Sequence, residues 1–429
     1  MPSSPNVLLV ITHDTGRHTG PYGRGVSTPQ LERLATEGVV FDRAFCSAPQ
    51  CSPSRAGLLT GVAPHTNGLV GLAHRGFGMH PESYKHTLPR LLSDAGYQTL
   101  LFGFQHEATD PRRLGYQRVV QSDRPRGHRC RDVVPTVEDF LAVPPREPFY
   151  ASVGFSETHR PFDPTDGPLD DVLVPPYLPD HPVVRRDVAD LNAQVRRADE
   201  AVGRILAALD LSGLAENTLF IYTTDHGIAF PGAKGTLRDP GLEVSLIARG
   251  PGGFTGGRRV AGLVSNLDLY ATILELTGVP VPPDTQGISL LPLAQGRVKS
   301  VRDAVFGELT YHTAYDPMRA VRTERYKYIR SYAERPDSLP THVDASPTKD
   351  FLRDQGYFER RRPAEQLYDL LADPGEQVNL AADPASGPIL AELRLRLDNW
   401  MTETGDPLLA GDIPPPASAI VTSVESYEP

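Results

Sequence analysis

The sequence predicts an α/β fold: a large mixed, mostly parallel sheet sandwiched by helices, with a smaller antiparallel subdomain at the C-terminal end. Unbroken apolar runs of strand length, such as "NVLLVIT" at 6–12, mark strands buried on both faces. Segments of helical periodicity alternate with those runs through about residue 280, the pattern of a sheet with helices on both sides. Beyond roughly residue 295 the texture changes to short strands and one amphipathic helix.

The first strand, 6–12, runs into polar residues. "TPQLERLATEG" (28–38) carries Thr28 as an N-cap, Pro29 at the first helical position and Gly38 after the last turn, so it reads as a helix. "VVFDRAF" follows as a short strand. "CSPSRAGLLTG" (51–61) opens a helix in which Ser52 caps and Pro53 takes the first helical position, leaving Cys51 just before it. Further strands are expected at 98–104 and 149–155, and the longest helix at 183–210. "TLFIYTTDHG" (218–227) is a strand with a polar end, and 262–278 is a strand-to-helix unit closed by Gly278. Later, "DAVFGEL", "RAVRTERYKYIRSY" and "EQLYDLLADP" read as short antiparallel strands, and 389–403 as an amphipathic helix. The expected organisation is a catalytic α/β domain over 1–295, a smaller α+β subdomain over 296–410, and an irregular Pro- and Ser-rich tail over 411–429.

Composition narrows the function classes. The chain has 429 residues, 39% hydrophobic and 22% charged, which is ordinary for a globular protein with a large core. A net charge of -10 argues against nucleic acid as the main partner, yet leaves room for a local cationic pocket that takes a small anion. Three cysteines, Cys46, Cys51 and Cys130, form no disulfide framework. No apolar run approaches the ~18 residues of a membrane span. The chain opens with Met and reaches its first strand almost at once, without a basic-then-apolar leader. A cytoplasmic location is therefore expected; a leader removed beforehand would make it periplasmic or secreted.

The chemistry gathers at strand ends, where open parallel sheets bind their ligands. The first strand ends in His13 and Asp14, and the strand at 218–224 ends in Asp225 and His226. His159 and Arg160 follow the strand at 149–155, and His106 follows the one at 98–103. Asp-Gly and His-Asp pairs taken singly are ordinary turn residues. Two carboxylates and two imidazoles at separate strand ends make a divalent-cation site instead, with the imidazoles moving the preference from Ca²⁺ or Mg²⁺ toward Mn²⁺ or Zn²⁺. A thiol at a helix start, with Arg55 one turn along, suits an anionic ligand or a nucleophile. The alternative is a small buried core cysteine.

"CSPSRAGLLTG" resembles the type I sulfatase signature, C-x-P-S-R-x-x-x-L-T-G, at every defined position. "PNVLLVITHDTGRHTGPYG", "TTDHGIAFPGAKGTLRDPGLEVSLIARGPG", "LVSNLDLYATILELTGV" and "EQLYDLLADPGEQVNLAADP" look like further segments of that formylglycine-dependent family. The wording around "AFPGAKGTLRD" is closest in flavour to the heparan N-sulfatase branch. The resemblance implies an alkaline phosphatase-like fold and a sulfatase, a sulfuric ester hydrolase acting on a sulfate ester or sulfamate of a carbohydrate or small organic molecule.

It also implies that Cys51 is oxidised to 3-oxoalanine (formylglycine) by a formylglycine-generating enzyme. The aldehyde is hydrated to a geminal diol, one hydroxyl attacks sulfur, and the second expels sulfate. Arg55 and Lys234 would stabilise the transferring group, His159 would protonate the leaving group, and His106 would handle the diol proton. His13, Asp14, Cys51, Asp225 and His226 would surround the metal, Ca²⁺ being the ion the family favours, with Mn²⁺, Mg²⁺ and Zn²⁺ as alternatives.

Two positions depart from the family pattern. The family commonly has Asp where His13 stands, and Lys where Phe104 stands in "GFQH". His65, Arg160 and Arg238 are the candidate replacements for the missing cationic contact with the anionic substrate. His74, His80 and His86 are expected in surface loops. A phosphonate or phosphate ester hydrolase on the same scaffold is the first alternative. A non-catalytic carbohydrate-binding relative, with Cys51 never oxidised, is the second. Oligomeric state and leaving group have no signal in the sequence.

Overall fold

The computed structural model describes residues 4–121, 128–143 and 148–429. Among the described residues, thirteen strands form two sheets. The large sheet contains β1 (Asn6–Thr12), β2 (Val39–Phe45), β3 (Gln98–Gly103), β4 (Arg118–Val120), β5 (Phe149–Gly154), β6 (Thr218–Thr224), β7 (Glu243–Val244), β8 (Leu246–Arg249) and β9 (Arg258–Ser265). Its order is β4-β3-β5-β1-β6-β8-β2-β7, with β9 also paired to β2. The central run from β4 to β6 is parallel, and β8 is antiparallel to both β6 and β2.

The uninterrupted apolar run of β1 is explained by its two faces. Val7, Leu9 and Ile11 enter one core, while Leu8 and Val10 enter the other. Leu58, Leu269 and Ile273, from the helices Cys51–Thr60 and Asp268–Thr277, cover the first face. Leu31, Val137 and Ile205, from the helices Pro29–Glu37, Cys130–Ala142 and Pro182–Leu211, cover the second. Because β3, β5, β1 and β6 are neighbours, their carboxyl ends lie side by side along one rim.

The small sheet, β10 (Ala304–Tyr311), β11 (Tyr315–Thr323), β12 (Tyr326–Ser331) and β13 (Glu365–Asp369), is antiparallel in sequence order. One face packs on Leu393, Leu397 and Met401 of the helix Gly387–Glu403. The other sends Leu309, Tyr311 and Met318 into the core of the large sheet. The segment 411–429 has neither helix nor strand and is docked on the rest of the chain. Ile420 N–H bonds Arg75 O, Thr422 N–H bonds Thr313 O, both at 2.8 Å, and Lys349 Nζ bonds Tyr427 O at 2.6 Å. No helix among the described residues is long and apolar enough to cross a membrane.

Candidate functional site

The helix Cys51–Thr60 starts two residues earlier than the Pro53 rule suggests: Gln50, extended, precedes it, and Cys51 is its first residue. Ser52 does not cap. Its Oγ instead accepts Ala73 N–H at 3.1 Å, tying the helix start to the 68–76 loop. This places Cys51 against the ends of β1 and β6. His13, Asp14, Cys51, Asp225 and His226 are all buried, and each offers one ligand-type atom within 4.8 Å of the others. Cys51 Sγ lies 3.3 Å from His226 Nε2 and 3.8 Å from His13 Nδ1. Asp14 Oδ1 is 2.9 Å from His226 Nε2 and 3.1 Å from His13 Nδ1, and His13 Nδ1 is 3.3 Å from Asp225 Oδ2.

The backbone is bent to achieve this. Asp14 and Thr158 hold positive φ angles of 41° and 72°, costly for non-glycine residues and worst for a β-branched one. Thr158 Oγ1 meets Thr15 Oγ1 at 2.7 Å, and Asp14 N–H donates to Asp225 Oδ1 at 2.9 Å, so the two strand ends lock each other in the strained form.

Two carboxylates buried together demand positive charge. Burial alone would raise the Asp225 carboxyl; His226, His13 and Arg55 outweigh it and hold it below its usual range. Burial would lower His13, but Asp225 and Cys51 lift it to about 9. The Cys51 thiol, which burial would push up, is pulled well below its usual value by His13, Lys234 and His226. His13 Nε2 is buried without a hydrogen-bond partner among the described residues. Two carboxylates and two imidazoles converging in this way fit a divalent cation.

Cationic donors flank the cluster. Arg55 donates from Nε to Asp225 Oδ2 at 2.9 Å, while its buried Nη2 has no partner among the described residues. Lys234 Nζ is shared between Asp14 Oδ2 and Asp344 Oδ2, both at 2.8 Å. His159, a third exposed, holds Nε2 3.9 Å from Asp14 Oδ2 and hydrogen-bonds Arg160 O through Nδ1. A cavity of about 400 Å³ opens over Cys51, His13, His159 and Lys234. Phe104 fills the position of the expected lysine, edge-on to the His13 ring at 4.6 Å and under the Arg55 guanidinium at 5.3 Å.

The three candidate replacements for that lysine need correction. His65 is buried away from the cavity: Nδ1 pairs with Glu308 and Nε2 with Thr404 Oγ1, so both nitrogens are spent on the junction with the small sheet. Arg238 pairs with Asp337 at 2.9 Å and does not line the cavity. Arg160 does line it, but its guanidinium forms a bidentate pair with Asp187 at 2.7 and 2.8 Å, gives Nε to Ala229 O, and is sandwiched by Phe162 and Phe230. Its donors hold the wall rather than a ligand.

Sequence reasoning also missed wall residues. His74, expected in a surface loop, is in the cavity wall, its Nδ1 2.5 Å from Nε2 of His106; burial and His106 push it down to about 4. His106 is thus in the cavity, engaged with a second imidazole. Arg75, Arg129, His312, His342 and Asp344 complete much of the rim. The last three arrive from loops of the small sheet, more than 100 residues from the nearest motif residue in the case of Asp344 and Lys234. Nothing in the local sequence around them signals a site.

Known proteins match this architecture. The "Sulfatase" family profile matches residues 5–279, and "N-sulphoglucosamine sulphohydrolase, C-terminal" matches residues 233–344, across the expected domain boundary at 295. Human N-sulphoglucosamine sulphohydrolase is 31% identical, over 94% of this chain and 91% of its own length. A Δ4,5-hexuronate-2-O-sulfatase of Bacteroides thetaiotaomicron is 28% identical, over 94% and 90%. A structure solved in complex with its substrate D-glucosamine-2-N,6-O-disulfate superposes with a TM-score of 0.75 at 21% identity, covering 94% of this chain and 99% of that one.

Proposed function

The chain belongs to the sulfatase family, and from that premise we propose that this sulfuric ester hydrolase removes sulfate from a sulfated amino sugar, as an N-sulfate or O-sulfate, at a formylglycine formed from Cys51. A metal ion and formylglycine are general features of the family. The observation that carries the reading is the buried cluster of His13, Asp14, Asp225 and His226 around Cys51, flanked by Arg55 and Lys234. The human relative named above supports an amino sugar as substrate.

His13, Asp14, Asp225 and His226 would hold the metal, and two imidazoles among four ligands favour Mn²⁺ or Zn²⁺ over Ca²⁺. A bound ion would supply Lewis-acid positive charge at this cluster, and the hydrated aldehyde at residue 51 would supply the nucleophilic oxygen. The chain's own residues do the rest. Arg55 Nη2, unpartnered and buried, and Lys234 neutralise the oxygens of the transferring group; in a dry site such fixed donors are worth most where charge develops. His159, within reach of the cavity, gives its proton to the leaving oxygen or nitrogen as the bond to sulfur breaks. The net change is water plus sulfate ester to alcohol plus hydrogen sulfate, or water plus sulfamate to amine plus hydrogen sulfate.

The test is sulfate release from glucosamine N-sulfate and glucosamine 6-sulfate by protein co-expressed with a formylglycine-generating enzyme, alongside the Cys51→Ala variant. Turnover by the parent and none by the variant supports the reading. Preference for phosphate or phosphonate esters assayed in parallel would replace it with the phosphoryl alternative. Binding of the sugars without turnover, with Cys51 unoxidised, would favour the non-catalytic one.

A further inference from the structure

Asp344 sits in the loop between the short helices Pro340–His342 and Pro347–Asp354, and its side chain is 26% exposed in the cavity that opens over Cys51. One oxygen, Oδ2, accepts from Lys234 Nζ at 2.8 Å. The other, Oδ1, receives no hydrogen bond among the described residues. A carboxylate beside an anion-binding centre works against the ligand's charge. Lys234 does not require it, since Asp14 Oδ2 already pairs with the same ammonium at 2.8 Å. Of the other charged rim groups, Arg129 is paired with Asp163, and Arg75 is bonded to Ile420 O and Thr422 Oγ1 of the C-terminal segment. His159 lies within 4.8 Å of Asp14 and Asp344, but it gives its Nδ1 to Arg160 O and makes no hydrogen bond to Asp344 among the described residues. A partly exposed acceptor oxygen in that position is open to a ligand that brings its own donor.

Resting on the sulfatase reading above, we propose that Asp344 is a specificity-determining residue: Oδ1 accepts a hydrogen bond from an N–H or O–H of the sugar, next to the position that carries the sulfate. The same carboxylate disfavours sugars with a second anionic group at that neighbouring position. The substrate class is therefore narrowed to sugars with a hydroxyl or amine beside the sulfated carbon. Lys234 divides the ligand between the two carboxylates, with Asp14 on the sulfate side and Asp344 on the sugar side.

The test compares KM for the sugar sulfate that the parent turns over with the inhibition constant of inorganic sulfate, which lacks a sugar and so lacks the donor. Both are measured for the matured parent, Asp344→Asn and Asp344→Glu. A charge-assisted hydrogen bond lost from a binding step corresponds to about tenfold or more in affinity. The ratio of KM to the sulfate inhibition constant is expected to rise about tenfold or more in both variants, because Asn weakens the acceptor and Glu displaces it. A ratio within about threefold of the parent in Asp344→Asn overturns the proposal. So does a ratio restored by Asp344→Glu, which would reduce the role of Asp344 to charge balance for Lys234. No sulfate release by the parent from any sugar sulfate would instead end the functional reading on which the proposal rests, whereas turnover with an unmoved ratio ends the proposal alone.

Discussion

Arg55 and Asp225, 170 positions apart in the chain, are joined by a 2.9 Å hydrogen bond from Nε to Oδ2 inside a fully buried site. The bond couples the arginine proposed to hold the anion, on the Cys51 helix, to a carboxylate proposed to ligate the metal, at the end of β6. It also leaves Arg55 Nη2 without a hydrogen-bond partner among the described residues. A planar guanidinium can hold Asp225 with one edge and a sulfate oxygen with another in a fixed geometry, which the point charge of a lysine ammonium at that position does not reproduce.

Arg55→Lys is therefore expected to lower kcat/KM for sulfate release by about a hundredfold or more, the scale of losing one fixed donor from an oxyanion site. Steady-state kinetics on the matured protein check this. A loss below about tenfold would remove Arg55 from the transferring group.

Asp225→Ala removes one carboxylate of the metal cluster and the partner of Arg55. Elemental analysis of the purified variant is expected to show loss of stoichiometric metal. In the parent, added Mn²⁺ or Zn²⁺ raises the unfolding temperature by preferential binding to the native state, and the variant loses that response. Full metal occupancy in Asp225→Ala would take Asp225 out of the ligand set.

His65 belongs to a buried network with Glu308, Arg319 and Asp406, in which Arg319 pairs with Asp406 from Nε and Nη2. Breaking such a network leaves uncompensated buried charge, at a cost of roughly 3–5 kcal/mol. Glu308→Ala is thus expected to lower the unfolding temperature and denaturant midpoint markedly, while the folded fraction keeps the parent's KM. A raised KM with parental stability would return His65 and its partners to the substrate site.

His18 gives a pH dependence outside the metal cluster. It is buried, with Nε2 2.7 Å from Asn192 Oδ1, and burial lowers it from 6.5 to about 4. Between those values the unfolded chain binds the proton and the folded one does not, so stability rises with pH there. The contribution is complete above 6.5 and is lost as pH falls to about 4, a change of ~3 kcal/mol. His18→Gln, which cannot titrate, is expected to show a flatter fall of unfolding temperature from pH 6.5 to 4. Identical pH profiles for parent and variant would contradict this assignment.

Much of the scaffold is readable from local pattern because it is set locally. The run "NVLLVIT" is buried on both faces as its unbroken hydrophobicity implies, and the strand-end pairs His13-Asp14 and Asp225-His226 meet because β1 and β6 are parallel neighbours. The family signature marks Cys51 and Arg55 in the same way. What local pattern does not carry is long-range assembly. Asp344 shares Lys234 with Asp14, but it arrives from a loop of the small sheet that no periodicity connects to the rim. His65 and His74 show the converse. Each is a histidine in a single short helical turn, Pro64–Asn67 and Ala73–Arg75, yet one is buried in a domain junction and the other faces the cavity beside His106. Arg160 follows a catalytic candidate directly, but Asp187 of the long helix claims its guanidinium. In each case the deciding partner lies at least 27 residues away in the chain.

In the proposed mechanism, residue 51 acts as an aldehyde-derived nucleophile among His13, Asp14, Asp225 and His226. The direct measurement is peptide mass spectrometry of residue 51 in batches matured to different extents, paired with the rate of sulfate release per molecule. The expected rate is proportional to the fraction in which sulfur and two hydrogens have been exchanged for one oxygen, extrapolating to zero for the thiol. An undiminished rate in protein whose Cys51 is wholly thiol would contradict it.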